Sequence, residues 1–181
     1  MIGFADFEAF LKASFPDMTD GMVERFRLMD AGYRDWNAKI NVISRKDIDS
    51  LYDHHVLHSL AIAEYLRTQR PEVYSMFTAP LQEGSVAPVS SSTNVNASRA
   101  GLRVLDLGTG GGFPGIPLAV MFPNVRFTLC DSVGKKTIVA REIADMLGLD
   151  NVEIVNARAE SLPGRFDFVV SRAVASLTDF Y

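Results

Sequence analysis

The sequence predicts an α/β protein, a parallel Rossmann-like sheet with an N-terminal cap of helices. Three observations carry the prediction. After Gly101, short apolar runs alternate with helix-length amphipathic segments, the pattern of successive βαβ units. Gly108, Gly110, Gly111 and Gly112 fall within five positions directly after the first of those runs. Residues 1–78 carry apolar stripes at three- and four-residue spacing, as helices do.

In "FADFEAFLKASF", Phe4, Phe7, Leu11 and Phe15 share one helical face, and Pro16 stops the helix. Asp17, Thr19 or Asp20 can cap a second helix whose stripe runs through Met22, Phe26, Met29, Tyr33, Trp36 and Ile40. A third is expected from a cap near Asp47, through Ile48, Leu51, Val56, Leu60 and Ala63 to Tyr65 and Leu66. These three make the cap, residues 1–78. Residues 79–100, "APLQEGSVAPVSSSTNVNASRA", are rich in Ser, Asn, Ala and Pro without periodicity, and read as a linker or long surface loop.

From residue 101 to 181 strand and helix alternate. "LRVLDLG" is a buried strand, and a helix from about Pro114 to Met121 ends at Pro123. "VRFTLCD" is the second strand, and "GKKTIVAREIADMLGL" a helix with Gly148 as its C-terminal cap. "VEIVNA" and "FDFVVSRA" are the third and fourth strands, on either side of a short helical turn near Glu160. This order predicts a parallel sheet with right-handed crossovers.

The 181 residues are 48% apolar, enough for a real core. The single cysteine, Cys130, excludes an internal disulfide and a multi-cysteine metal site. The N-terminus has acidic residues where a leader needs basic ones, and no apolar run reaches membrane-span length, so a cytoplasmic protein without a membrane partner is expected. The net charge of −4 gives no global attraction to nucleic acid, so an RNA partner must be met by local basic patches.

Four clustered glycines would weaken a helix or strand by roughly 1 kcal/mol each, so the cluster marks a turn that brings backbone close to a ligand. "GGGFPG" satisfies the dinucleotide spacing G-x-G-x-x-G, and Asp131, about twenty residues on, satisfies its ribose-binding acid. The turn alone therefore leaves a nicotinamide-dependent oxidoreductase open beside other adenosine ligands. Asp106 inside the first strand favours a cationic ligand such as S-adenosylmethionine, because a carboxylate there would repel a diphosphate. Glu160, following the third strand, stands where an adenine could be framed.

"WNAKINVISRKDIDSLYDHHVLHSLAI", "VLDLGTGGGFPGIPLAV", "LCDSVGKK", "NARAESL" and "VVSRAVASL" in this order resemble the bacterial small-subunit ribosomal RNA guanine-N7 methyltransferase family, also called glucose-inhibited division protein B. The resemblance runs from about Trp36 to Leu177. It implies a class I methyltransferase fold that uses S-adenosyl-L-methionine to methylate N7 of a guanosine in 16S ribosomal RNA of the small subunit. It further implies that Gly108 and Phe113 contact the cofactor, beside Asp106, Gly110 and Gly112, which the turn itself nominates as cofactor-binding. Asp131 would take the ribose hydroxyls, Ala159 and Glu160 would flank the adenine, and Arg172 would complete the pocket beside the methyl acceptor.

In place of the Asn/Asp-Pro-Pro-aromatic tetrad of many amine methyltransferases stands "SRAV". Guanine N7 loses no proton during attack, so no residue is required as a general base. The family's sheet has seven strands, whereas Tyr181 follows soon after the fourth; an incomplete sheet with the fourth strand as an edge is expected, and a non-catalytic cofactor- or RNA-binding module is the alternative. His54 and His58 have helical spacing suited to zinc but lack further ligands, so no metal is expected. Trp36 and Asn37 are weighed as a base-stacking pair, with core packing of Trp36 preferred. Lys135, Lys136, Arg141, Arg45 and Lys46 are candidate phosphate contacts, and Arg158, Arg165 and Arg172 are read as one RNA-facing cluster at the strand-end rim. A monomer is expected.

Overall fold

A computed structural model describes residues 2–80 and 101–172. The expected linker therefore lies, from residue 81 onward, outside the described residues, as does the "AVASL" run. Four strands, β1 (Arg103–Leu107), β2 (Arg126–Asp131), β3 (Val152–Asn156) and β4 (Phe168–Ser171), form one parallel sheet in the order β3-β2-β1-β4. The expected order of strand and helix holds throughout. β1 is central and buried over Val104, Leu105 and Asp106, whereas β4 is outermost on its side among the described residues, with Val169 59% exposed.

The cap has helices α1 (Phe4–Ser14), α2 (Asp20–Lys39), α3 (His58–Gln69) and α4 (Pro71–Thr78). Thr19 caps α2 by accepting the Met22 amide at 3.2 Å, and Phe26, Met29 and Tyr33 are buried along its stripe. The third predicted helix is corrected: a 3-10 turn (Ile48–Ser50) and a π-helical turn (Leu51–Leu57) precede α3, and α4 is a further element that starts on Pro71. Asp47 caps nothing. Its carboxylate instead turns to His54 and His55, and a π-helical segment of this kind is characteristic of sites where side chains take precedence over ideal winding.

Helices α5 (Gly115–Met121) and α6 (Gly134–Met146) follow β1 and β2. α6 ends in a Schellman motif: Gly148, at φ +61°, donates to the Asp145 carbonyl and Leu149 to that of Ala144. α2 packs against α5 and α6, and α3 against α4 and α5. One hydrophobic core thus runs from Phe7, Phe26 and Leu60 of the cap to Val104, Ile116 and Leu129 of the sheet layer. Arg25 of α2 ties the two together, donating to the carbonyls of Leu147 (3.0 Å) and Gly148 (3.2 Å) at the C-terminus of α6, where a cation is favourable.

Gly115 begins α5 against β1 and β2 with no room for a side chain: a Cβ there would stand 2.6 Å from Asp106 Oδ2 and 2.6 Å from Leu129 Cγ. Both neighbours are fully buried. Gly115→Ala is therefore expected to destabilise the protein by about 1–3 kcal/mol, the usual range for overpacking. Urea unfolding followed by circular dichroism checks this; an unchanged midpoint would refute the close approach.

Candidate functional site

The glycine turn lies at the carboxyl edge of the sheet, between β1 and α5, where an open α/β sheet presents its ligand crevice. Gly108 and Thr109 donate to the Cys130 carbonyl of β2, which fixes the start of the turn. Gly108, Gly110 and Gly112 have φ of 71°, 59° and 108°, values that side-chain-bearing residues rarely adopt. A Cβ on Gly110 would meet nothing within 4 Å, so open space adjoins the backbone there. Asp131, at the end of β2, borders the same space. Its Oδ2 accepts the Gly110 amide at 2.9 Å and its Oδ1 the Val133 amide at 2.8 Å.

Asp106 is placed beneath the turn rather than in the open space. Its side chain is 0% exposed, and Oδ2 accepts the Thr109 hydroxyl at 2.6 Å and the Gly115 amide at 2.8 Å. Oδ1 is buried without a hydrogen-bond partner. Burial in this apolar setting raises the carboxyl's pKa to about 6, against the pull of those two donors.

Phe113 is also buried, at 4% exposure. The Tyr33 ring stacks on it at 4.7 Å, and the Arg172 guanidinium lies 5.2 Å from its centroid. Tyr33, read from sequence as a core residue only, donates its hydroxyl to the Gly111 carbonyl at 2.9 Å. The signal available in the sequence was a tyrosine on a fully apolar stripe, whose hydroxyl must find a partner once buried. Arg172, half-buried at the end of β4, donates to the His54 carbonyl (3.4 Å) and faces His55 Nδ1 (3.1 Å). Burial pulls its pKa down, and the negative charge of Asp106 opposes this. Ala159 and exposed Glu160 form a 3-10 turn (Ala159–Ser161) after β3, at the same edge. A pocket of about 320 Å³ opens beside Arg172, walled by His58, Ile62 and Tyr65 of α3 and by Pro114.

Asp106, Gly108, Gly110, Gly112, Phe113, Asp131, Ala159, Glu160 and Arg172 thus all belong to the carboxyl side of the sheet. The other candidates are placed by contacts elsewhere in the fold. Asn37 does not present a face to a base: it is buried, donates to the Ile43 carbonyl and accepts the Val42 and Ile43 amides, each at 2.9 Å. Trp36 packs partly against the core with the Lys39 ammonium 4.6 Å from its ring. Arg141 holds the Ile154 carbonyl of β3 at 2.9 Å. Arg165 is not on the carboxyl rim with Arg158 and Arg172. A chain leaving β3 must recross the sheet before a parallel β4 can begin, and a Cβ placed on Gly164 would accordingly stand 3.3 Å from the Arg103 guanidinium at the amino end of β1. His54 directs Nδ1 to Asp47 at 2.5 Å, and no cluster of three metal-ligating side chains occurs among the described residues.

Residues 85–181 match the family described as rRNA small subunit methyltransferase G. The Ribosomal RNA small subunit methyltransferase G of Bacteroides fragilis is 49% identical over 165 residues, 91% of this chain and 66% of the relative. That of Porphyromonas gingivalis is 48% identical over 91% of this chain and 61% of its own length. The chain thus spans somewhat less than two thirds of the relatives' length. Among solved structures, coclaurine N-methyltransferase bound to N-methylheliamine and SAH superposes loosely, with a TM-score of 0.37 and 17% identity over 94% of this chain and 49% of that one.

The buried Asp106 carboxyl gives a signed pH dependence. With its folded pKa near 6 and an unfolded value near 3.9, the folded state retains a proton that the unfolded state has released. Its contribution is therefore present below about pH 4 and lost as pH rises to about 6, by on the order of 2–3 kcal/mol. Relative to Asp106→Asn, which does not titrate, wild-type stability should decline by that amount between pH 4 and 7 in urea unfolding. A pH-independent difference between the two would contradict it.

Proposed function

The chain belongs to the rRNA small subunit methyltransferase G family, and from that premise we propose that it binds S-adenosyl-L-methionine at the carboxyl edge of its sheet and methylates N7 of a guanosine in 16S ribosomal RNA. The observation that carries the reading is the open backbone at Gly110 beside the Asp131 carboxylate. A turn without side chains, next to an acid able to accept ribose hydroxyls, fits an adenosine ligand.

When bound, the cofactor supplies an electrophilic methyl group on a sulfonium. The turn from Gly108 to Gly112 holds the ligand against backbone, Asp131 accepts from the ribose, and Ala159 with Glu160 flanks the adenine. Phe113 supports Arg172, which borders the acceptor, and the pocket between α3 and Pro114 receives the purine. Guanine N7 offers an in-plane lone pair and carries no proton to remove, so these residues work by alignment, which can contribute roughly 7–11 kcal/mol. The unpartnered Asp106 oxygen adds negative potential under the turn, which favours a sulfonium over a diphosphate. This argues against the nicotinamide alternative. The same reading makes the protein a cytoplasmic monomer that meets the small ribosomal subunit.

Titration calorimetry tests the binding step: S-adenosylhomocysteine is expected to bind, NAD is not, and Asp131→Ala should weaken the former at least about tenfold, the loss of a hydrogen-bonded charged partner. Binding of NAD without S-adenosylhomocysteine would sink the proposal. Transfer of labelled methyl to small subunits lacking the modification, with the label recovered as N7-methylguanosine, tests the activity. Cofactor binding without transfer would favour a binding module.

A further inference from the structure

Between the cap and the end of β4 runs a chain of polar contacts that the cofactor reading leaves unused. Asp47 Oδ2 lies 2.6 Å from His55 Nε2, and His55 Nδ1 lies 3.1 Å from Arg172 Nη2. A guanidinium has donors only, so His55 Nδ1 must be the acceptor and the imidazole proton must sit on Nε2, pointing at the carboxylate. His55 therefore fits this place only as a neutral ring. A second proton on Nδ1 would set an N–H against the guanidinium and one cation against another.

We propose that His55, held by Asp47, is a positioning residue that presents the Arg172 guanidinium to the bound cofactor and acceptor while its imidazole is neutral, and releases it when the ring is protonated. This rests on the reading that Arg172 borders the cofactor. The groups facing His55 are Asp47 and His54 on the cap side, Arg172 from β4, and the Phe113 ring at 5.3 Å. Arg172 is in turn drawn by Asp106, Tyr33 and Asp47. Burial lowers the His55 pKa, the Asp47 carboxylate opposes that, and Arg172 adds to it, so the ring is neutral at physiological pH. As pH falls through this lowered value, the acceptor for Arg172 disappears.

Two measurements on the whole chain test the proposal. Long-range proton–nitrogen NMR should show the wild-type His55 as the Nε2–H tautomer, and Arg172→Ala should raise its titration midpoint by about half a unit or more, because a nearby cation is removed. In calorimetry, wild-type affinity for S-adenosylhomocysteine should fall as the pH is lowered from 7.5 through the His55 midpoint found by NMR, by about tenfold one unit below it, as for a lost charge-assisted hydrogen bond. His55→Gln keeps a donor and an acceptor without titrating, so it should hold the high-pH affinity over that range. Asp106 titrates in both proteins and cancels from the comparison. An His55 midpoint indifferent to Arg172→Ala, or an His55→Gln profile with the wild-type slope, would overturn the proposal. If instead Arg172→Ala moves the His55 midpoint but leaves S-adenosylhomocysteine affinity intact, the placement of Arg172 beside the cofactor fails, and with it the functional half of the proposal.

Discussion

The Asp106 side chain spans the glycine turn, taking the Thr109 hydroxyl on one side and the Gly115 amide on the other through a single oxygen. The two ends of the turn cannot separate without stripping partners from a fully buried carboxyl, which would cost more than an exposed hydrogen bond of the same geometry. The bond also sets the distance between β1 and the first turn of α5, and the missing side chain of Gly115 permits that distance. Asp131 makes the matching contact from the neighbouring strand, on the Gly110 amide. Two acids on adjacent parallel strands therefore hold the turn, one from beneath and one from its open side.

The cap completes this support, which gives it a role beyond covering apolar surface. Tyr33 bonds the Gly111 carbonyl and stacks on Phe113, while Val42 sits where a Gly111 side chain would be, 2.9 Å from the position of its Cβ. Val42 is placed in turn by Asn37, whose amide group fastens the backbone that follows α2. The order of dependence is thus Asn37, the loop at Val42 and Ile43, the glycine turn, and then the ligand crevice. A change at Asn37 would reach the crevice without touching it.

Much of this was legible in the sequence, for identifiable reasons. The succession of strands and helices along the chain, the turn, a cap at Asp17, Thr19 or Asp20 and the Gly148 terminus depend on local patterns of apolarity and backbone preference. What escaped depends on contacts between residues far apart in the chain. Asp106 reads as a carboxylate facing a ligand and Asn37 as a partner for a base until their backbone partners are known, and Tyr33 looks like any core aromatic. Arg165 was misplaced because proximity in sequence to β3 suggested the carboxyl rim, whereas the return crossover carries it to the other edge. The break of the third cap helix into 3-10, π and α segments leaves its apolar spacing nearly intact, so periodicity alone could not reveal it.

An acidic protein can still present a basic edge when its charges are separated in space. In the cap, Lys12 pairs with Glu8, Arg34 with Asp30, Lys39 with Asp35 and Arg67 with Glu64, each within one helical turn, so these cations are offset where they stand. Such exposed pairs add little stability, but they reduce the reach of either charge. At the carboxyl edge the composition differs: exposed Lys135 and Lys136 open α6 directly after β2, and exposed Arg158 follows β3. Asp106 and Asp131 of that edge are buried and engaged with backbone amides or hydroxyls of the turn, whereas Glu160 is exposed. The overall charge of −4 therefore understates the attraction a phosphate backbone would meet on this side, because two acids of this edge are inside while Lys135, Lys136 and Arg158 are outside, offset by Glu160.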